Sequence, residues 1–321
     1  MQTKLVDVSN IFQAADIRSG PIIIQETEGM YPHKERLSDN WSYFTTVGFK
    51  RLHDRKVFPG TIAIVGIGSG VEGIAAVKIF GDTLCHLVVT DIDGGVVGGA
   101  RRNVKVNLPK RSRIKIQPLI GSFCEPLTKH GIQADLIHAN IPNLPAPRGV
   151  DLSGGAEKGT FLRPELYEGY HPPDKYIRWA LGAQYAYIHS AREALTKRGS
   201  VITEVGGRVP LTLLAELFQE NGYSRVDEAL VGFKEQTEAL MDFVGYHEFE
   251  RAYGVAFDFY LYHRSMLALE EHCIDGNIAP MAGDELKKLL LPYRVSAGAA
   301  IELYHKGVGV GHTVHILKGS R

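Results

Sequence analysis

Short apolar runs recur through the middle of the chain at regular intervals, and stretches of helical periodicity lie between them. Thr61-Ile62-Ala63-Ile64-Val65 reads as a buried strand, followed by a Gly-rich turn and a helix over about 70–80. His86-Leu87-Val88-Val89-Thr90 reads as a second strand with a helix over 96–106, and Arg113-Ile114-Lys115-Ile116-Gln117 as a third. Asp135-Leu136-Ile137-His138-Ala139 is a fourth, a long helical pattern covers 174–197, and Ser200-Val201-Ile202-Thr203-Glu204-Val205 is a fifth. Mostly apolar strands alternating with helices predict a parallel sheet covered on both faces.

The two ends break this rhythm. Before residue 58 lie an apolar run, Pro21-Ile22-Ile23-Ile24, the segment Glu28-Gly29-Met30-Tyr31-Pro32-His33, and a helix start near Asn40-Trp41-Ser42. After the fifth strand come a sixth over 224–232, polar helical sequence over 236–251, and the strand-like run from Val255 to Tyr262. Two strands linked so locally predict an antiparallel closing pair. The expected organisation is therefore an N-terminal helical or lid segment (1–58), a catalytic domain (59–264), and a C-terminal extension packed on it (265–321) that leaves room for a homodimer.

Composition narrows the partners. Lys and Arg number 36, as do Asp and Glu, so the chain has no overall attraction for a polyanion and nucleic acid is not an expected partner. No run approaches the roughly 18 residues that span a bilayer. The first residues lack the pattern of a secretion signal. Cys85, Cys124 and Cys273 are too few and unpatterned for a disulfide framework or a zinc site. The expectation is a cytoplasmic protein acting on a small molecule, without a metal. His130, His138 and His171 are read as packed or surface histidines.

Chemistry enters at Gly66-Ile67-Gly68-Ser69-Gly70, directly between a buried strand and a helix. Glycines there permit the tight turn and let a nucleotide approach the backbone. Asp91 ends the next strand, where an acidic side chain can accept both ribose hydroxyls. NAD and S-adenosylmethionine both use this arrangement.

Around these residues the chain resembles the class I S-adenosylmethionine-dependent methyltransferases, over about residues 28–232. More narrowly, Asn140-Ile141-Pro142-Asn143 after the fourth strand is similar to the Asn-Pro-Pro-Tyr motif of the branch that modifies glutamine in release factors. The resemblance implies a Rossmann-like class I methyltransferase fold, α/β, with a central, mostly parallel seven-stranded sheet and an antiparallel final strand. It implies S-adenosylmethionine held by Gly66, Gly68, Gly70 and Asp91, with Phe123 against the adenine face, Ser122 at its edge, and Asn140 orienting the acceptor. Two departures stand out: Ile64 occupies a position that is commonly acidic in the family, and Ser122 replaces a frequent acid. Glu72 is read either as approaching the methionine portion or as a helix-surface residue.

Ile141 and Asn143 depart from the glutamine motif and point away from a planar acceptor. The Asn-Ile-Pro sequence looks more like the methyltransferase portion of plant methionine S-methyltransferases, which implies methyl transfer to a small amino-acid-like acceptor. The chain also resembles azetidine-2-carboxylate synthases, which cyclise S-adenosylmethionine and release 5′-methylthioadenosine. In that reading Asn140 holds the amine, Tyr176 sets its ring or hydroxyl near the sulfonium, where a π-face stabilises a cation, and Thr203 fixes the bent carboxylate. Trp41, Tyr43, Tyr176 and Trp179 would form an aromatic cover. The remaining classes are protein or nucleic-acid methylation, against which the charge balance and the altered asparagine motif speak, an NAD-dependent oxidoreductase, against which the motif after the fourth strand speaks, and a non-catalytic scaffold.

Overall fold

The computed structural model describes residues 3–272, 274 and 276–321, so Cys273 lies outside the described residues. Seven long strands form the central sheet: β1 (Thr61–Val65), β2 (His86–Asp91), β3 (Lys115–Ile120), β4 (Ala134–Ala139), β5 (Leu195–Gly206), β6 (Arg225–Glu235) and β7 (Val310–Ser320). Their order across the sheet is β3-β2-β1-β4-β5-β7-β6, and β7 runs antiparallel to both of its neighbours. The pairs β1–β2, β1–β4, β2–β3 and β4–β5 are parallel. This is the α/β Rossmann-like arrangement with class I methyltransferase topology. Three short segments, Phe259–Leu261, Ile278–Ala279 and Arg294–Val295, extend the sheet beside β6 and β7.

The alternation within each strand divides the core. Ala63, Val88, Ile137 and Val201 face one layer, which includes α4 (Gly182–Ala194) and α5 (Leu211–Glu220). Ile62, Leu87, Leu136 and Ile202 face the other, with α1 (Trp41–Asp54) and α2 (Val71–Phe80). Helix α3 (Gly94–Val106) packs there too and meets a hairpin made by Thr3–Asp7 and Ile23–Thr27. Ile64, where an acid is common in the resembled family, is fully buried in this second layer.

Three expectations are corrected. The closing antiparallel strand is not the run from Val255 to Tyr262, of which only Phe259–Leu261 is strand; it is β7, from residues expected to form an appended tail. Polar His312, Thr313 and His315 interrupt that stretch and disguise it, yet all three are buried. His315 is satisfied by Glu228 (Nδ1 to Oε1, 3.1 Å) and by Thr313 Oγ1 (2.9 Å). The long helix expected over 174–197 is broken into Asp174–Ile177 and α4, with Ala180 at φ 53° between them. The third strand begins two residues later than the pattern suggested. Among the described residues, no helix is long and apolar enough to cross a membrane.

Candidate functional site

One cavity of about 710 Å³ opens at the carboxyl edge of the parallel strands. It lies within the range of small-molecule sites, and this edge is where open α/β sheets bind ligands. Its roof comes from two segments outside the sheet. Gly29, Tyr31, Pro32 and Trp41 contribute from the N-terminal side, and residues 152–166 from the β4–β5 connection. The two segments interlock: a Cβ at Gly155 or Gly159 would clash with Met30 or with the Tyr31 ring. Lys158 then reaches Asp93 (2.7 Å), which also caps α3 by accepting from the Gly95 and Val96 amides.

The first half of the cavity is built by the β1–α2 and β2–α3 turns. Gly66, Gly68 and Gly70 take φ values of 69°, 53° and 90°, which disfavour any residue with a Cβ. A Cβ at Gly70 would stand 2.9 Å from the Ala100 carbonyl, so this glycine serves helix packing and does not line the cavity. At Gly68 a Cβ would meet nothing within 4 Å; the backbone there is open towards the cavity. The Gly68 amide points to Asp91 Oδ2 (3.5 Å), and the Asp93 amide donates to Asp91 Oδ1 (3.1 Å). Burial raises the Asp91 pKa against the lowering effect of these amides. Ile92, Ser122 and Phe123 complete this wall, with Phe123 held at φ 45° and packed edge-on to Tyr170. Asn140 lines the cavity beside Ile141 and Asn143.

Tyr176 and Thr203 are placed differently from their expected positions. The Tyr176 ring stacks on Tyr185, and its hydroxyl donates to Glu220 Oε2 (2.7 Å), outside the cavity. Thr203 lies one layer behind the wall: it donates to Gln184 Oε1 (2.8 Å), whose amide donates to Asn143 Oδ1 (3.0 Å). Of the aromatic cover, only Trp41 reaches the cavity. Tyr43 packs on Phe44, and Trp179 packs on Phe257.

The second half contains groups that the sequence reading did not single out. Arg208, just beyond β5, donates to Gln236 Oε1 (2.5 Å), and Gln236 donates to Asp242 Oδ2 (2.6 Å). The Arg208 guanidinium also lies 5.0 Å from the Tyr246 ring centre, and its Nε has no partner. Burial pushes the Asp242 carboxyl up to about 6. Burial, reinforced by Arg208, holds the Lys234 ammonium down at about 8. Lys234 sits over the Trp41 ring at 5.0 Å, and His312 stacks on the same ring. Burial also drives His312 well below the ordinary imidazole range, with Arg208 and Lys234 adding to it.

Between the halves, three side chains that could hold a metal meet: Glu72, His138 and Glu204, with ligand atoms within 4.8 Å of one another. His138 Nε2 is 3.1 Å from Glu72 Oε2, and Thr45 donates to Glu204 Oε2 (2.5 Å). Glu72 is thus buried and faces the cavity, and His138 is neither exposed nor fully satisfied. His130 and His171 lie elsewhere and do not line the cavity. One signal was available for these groups. Glu204 and Lys234 each interrupt an apolar strand, and a charge buried in a strand needs a partner or a purpose.

No family model matches the chain, and no curated protein does. Solved structures with a similar arrangement include a ribosomal protein L11 methylase from Lactobacillus delbrueckii subsp. bulgaricus, 19% identical over 64% of this chain and 75% of that one, TM-score 0.38. Precorrin-6y C5,15-methyltransferase from Geobacter metallireducens is 14% identical over 60% and 76%, TM-score 0.35. A SAM-dependent methyltransferase from Agrobacterium tumefaciens is 12% identical over 65% and 59%, TM-score 0.41. The fold assignment stands on the strand order and directions, independently of these likenesses.

Proposed function

We propose that this chain is an S-adenosylmethionine-dependent methyltransferase acting on a small amino-acid-like acceptor. The observation that carries the reading is the joining of two unlike half-sites in one cavity. One half is an open glycine backbone with Asp91 beyond it, and the other is a buried Arg208–Gln236–Asp242 chain. In this reading Asp91 takes the ribose hydroxyls, and Ile92 and Phe123 flank the adenine with Ser122 at its edge. Asn140 stands where the methionine portion meets the acceptor. Arg208 takes the acceptor carboxylate through donors not already committed, and Asp242 with Glu238 faces its ammonium.

S-adenosylmethionine supplies an activated methyl group on a sulfonium, so the protein's task is alignment more than acid–base chemistry. Alignment can lower a barrier by several kcal/mol. The roof that would hold the substrates in place is pinned by Lys158 to Asp93 and by Tyr31 to Glu238 (3.1 Å).

The test is mass spectrometry of products from S-adenosylmethionine with and without a panel of amino acids. S-adenosylhomocysteine that forms only when an acceptor is present supports methyl transfer. Formation of 5′-methylthioadenosine and a four-membered cyclic amino acid from S-adenosylmethionine alone replaces it with cyclisation, in which Arg208 would hold the methionine carboxylate. Unchanged S-adenosylmethionine in every mixture refutes both.

A further inference from the structure

Two carboxylates and one imidazole meet in the wall of the cavity. Glu72 comes from the first turn of α2, His138 from β4 and Glu204 from β5, and one ligand atom of each lies within 4.8 Å of the others. All three residues are buried. His138 Nε2 stands 3.1 Å from Glu72 Oε2. Donors held at about 2.1 Å from one ion stand roughly 3.0–3.4 Å apart, so this pair is already spaced to share a coordination sphere. Glu204 Oε2 accepts from Thr45 Oγ1 on α1, which fixes the carboxylate, and Glu204 Oε1 has no partner although the residue is only 1% exposed. An oxygen so buried and so bare is costly unless something binds it. The His138 ring is packed edge-on to Phe49, with ring centres 5.2 Å apart, and its Nδ1 has no polar partner, so Nε2 is the nitrogen aimed at the carboxylates. The neighbouring cations are engaged elsewhere: Lys234 donates to the Glu235 carbonyl and to Thr237, and Arg208 donates to Gln236. One divalent cation would balance both carboxylates at once.

We propose that Glu72, His138 and Glu204 bind one divalent first-row transition ion, with Thr45 orienting the Glu204 carboxylate. The donor set decides the class. An imidazole nitrogen favours ions such as manganese, iron, cobalt or zinc over magnesium or calcium, and the set contains no thiolate to draw a softer ion. Glu72 and Glu204 line the cavity, while His138 is fully buried and does not. The protein therefore holds the ion from one side, and its remaining positions face the cavity, as in catalytic rather than structural metal sites. There the ion acts as a Lewis acid on an oxygen, nitrogen or sulfur atom of the molecule in the cavity. The site follows from the geometry of the trio and stands whether or not the cavity takes S-adenosylmethionine. It departs from the metal-free site expected from the sequence, where no motif spacing links ligands on three separate elements.

The experiment needs no turnover. The full chain, treated with a chelator and dialysed, is titrated with Mn2+ alone, and the free ion is followed by its electron paramagnetic resonance signal. One ion per chain is expected, with a Kd below about 0.1 mM. Spin-echo modulation of the bound ion should show coupling to an imidazole nitrogen, a signature that a merely structural trio does not produce. Thr45→Val should weaken binding about 10- to 100-fold, the usual cost of losing a contact that orients a ligand, and Glu72→Gln and Glu204→Gln should weaken it further. His138→Gln should abolish the nitrogen coupling. That coupling is read on the wild-type protein and so depends on no variant's folding. Binding weaker than about 0.1 mM in the wild type overturns the proposal. So does binding without nitrogen coupling, or binding of wild-type strength in both Gln variants.

Discussion

Asp242→Asn should make the protein more stable at neutral pH while weakening its site. The Asp242 carboxyl is pushed from its ordinary 3.8 up to about 6, chiefly by burial, despite attraction from Arg208 and Lys234. Each tenfold change in proton affinity is worth ~1.4 kcal/mol, so the interval corresponds to about 3 kcal/mol. The folded state holds this proton more tightly than the unfolded chain. Stability from this group is therefore present below about pH 4 and falls as pH rises towards 6. Above that, the wild type carries the full cost of a desolvated charge. Because Asp242 lines a cavity open to solvent, about 3 kcal/mol is an upper bound. Asn retains an oxygen to accept the Gln236 amide, so the bond at 2.6 Å need not be lost. Urea unfolding of both proteins at several pH values from about 4 to 8 provides the assay. Midpoints should nearly coincide at the acid end and separate above pH 6, with the variant more stable. Parallel curves, or a variant less stable at every pH, would refute the reasoning and mean that the Asp242 charge is fully compensated in the fold.

Other substitutions separate packing from function. Gly70→Ala places a Cβ 2.9 Å from the Ala100 carbonyl at φ 90°, so a loss of about 1–3 kcal/mol is expected in urea unfolding, and a change below about 0.5 would be inconsistent with that strain. Asp91→Asn removes a charged acceptor from the proposed ribose site, and S-adenosylhomocysteine affinity measured by calorimetry should fall about 10- to 100-fold with little change in stability. Tyr176→Phe deletes only the bond to Glu220, so turnover should stay within about twofold and stability within about 1 kcal/mol; a tenfold fall in turnover would restore the role near the sulfonium. A chain ending at residue 264 lacks β7, the strand that joins β5 to β6, and should yield no cooperative unfolding transition; a well-folded product would show that the sheet closes without it.

Strands β1, β2 and β4 were legible because each is a continuous apolar run buried on both faces, and the glycine loop follows from the turn that joins two of these elements. The same logic points to Asp91 at the end of β2, while Ser122, Phe123 and Asn140 come from the resemblance; all four line the cavity. It failed wherever polar residues are buried for a reason that lies far away in sequence. β7 hides behind His312, Thr313 and His315, whose partners include Glu228, 87 positions from His315. Tyr176 was misplaced because an aromatic beyond a Pro-Pro turn carries no sign of which way it faces. Only the break at Ala180 and the stacking on Tyr185 turn it from the cavity.

The misfit residues of the sequence and the costly residues of the structure turn out to be one set. Burial raises the pKa values of the Glu204 and Asp242 carboxyls and lowers those of Lys234 and His312; Glu204 and Asp242 line one end of a single cavity, and Lys234 and His312 pack on Trp41 in its wall. A core optimised for stability would replace such groups with apolar side chains, since burying charge costs more than a pair of moderate geometry returns. Three adjacent strands supply three of them, Glu204 on β5, Lys234 on β6 and His312 on β7, and the helix Ala239–Tyr253 supplies Asp242. The antiparallel insertion of β7 is what brings Lys234 and His312 beside Glu204. Perturbed titratable groups that gather in a cleft mark functional sites more often than structural ones. That concentration, at the ligand-binding edge of the sheet and next to an open glycine backbone, argues for chemistry at this cavity without appeal to any resemblance.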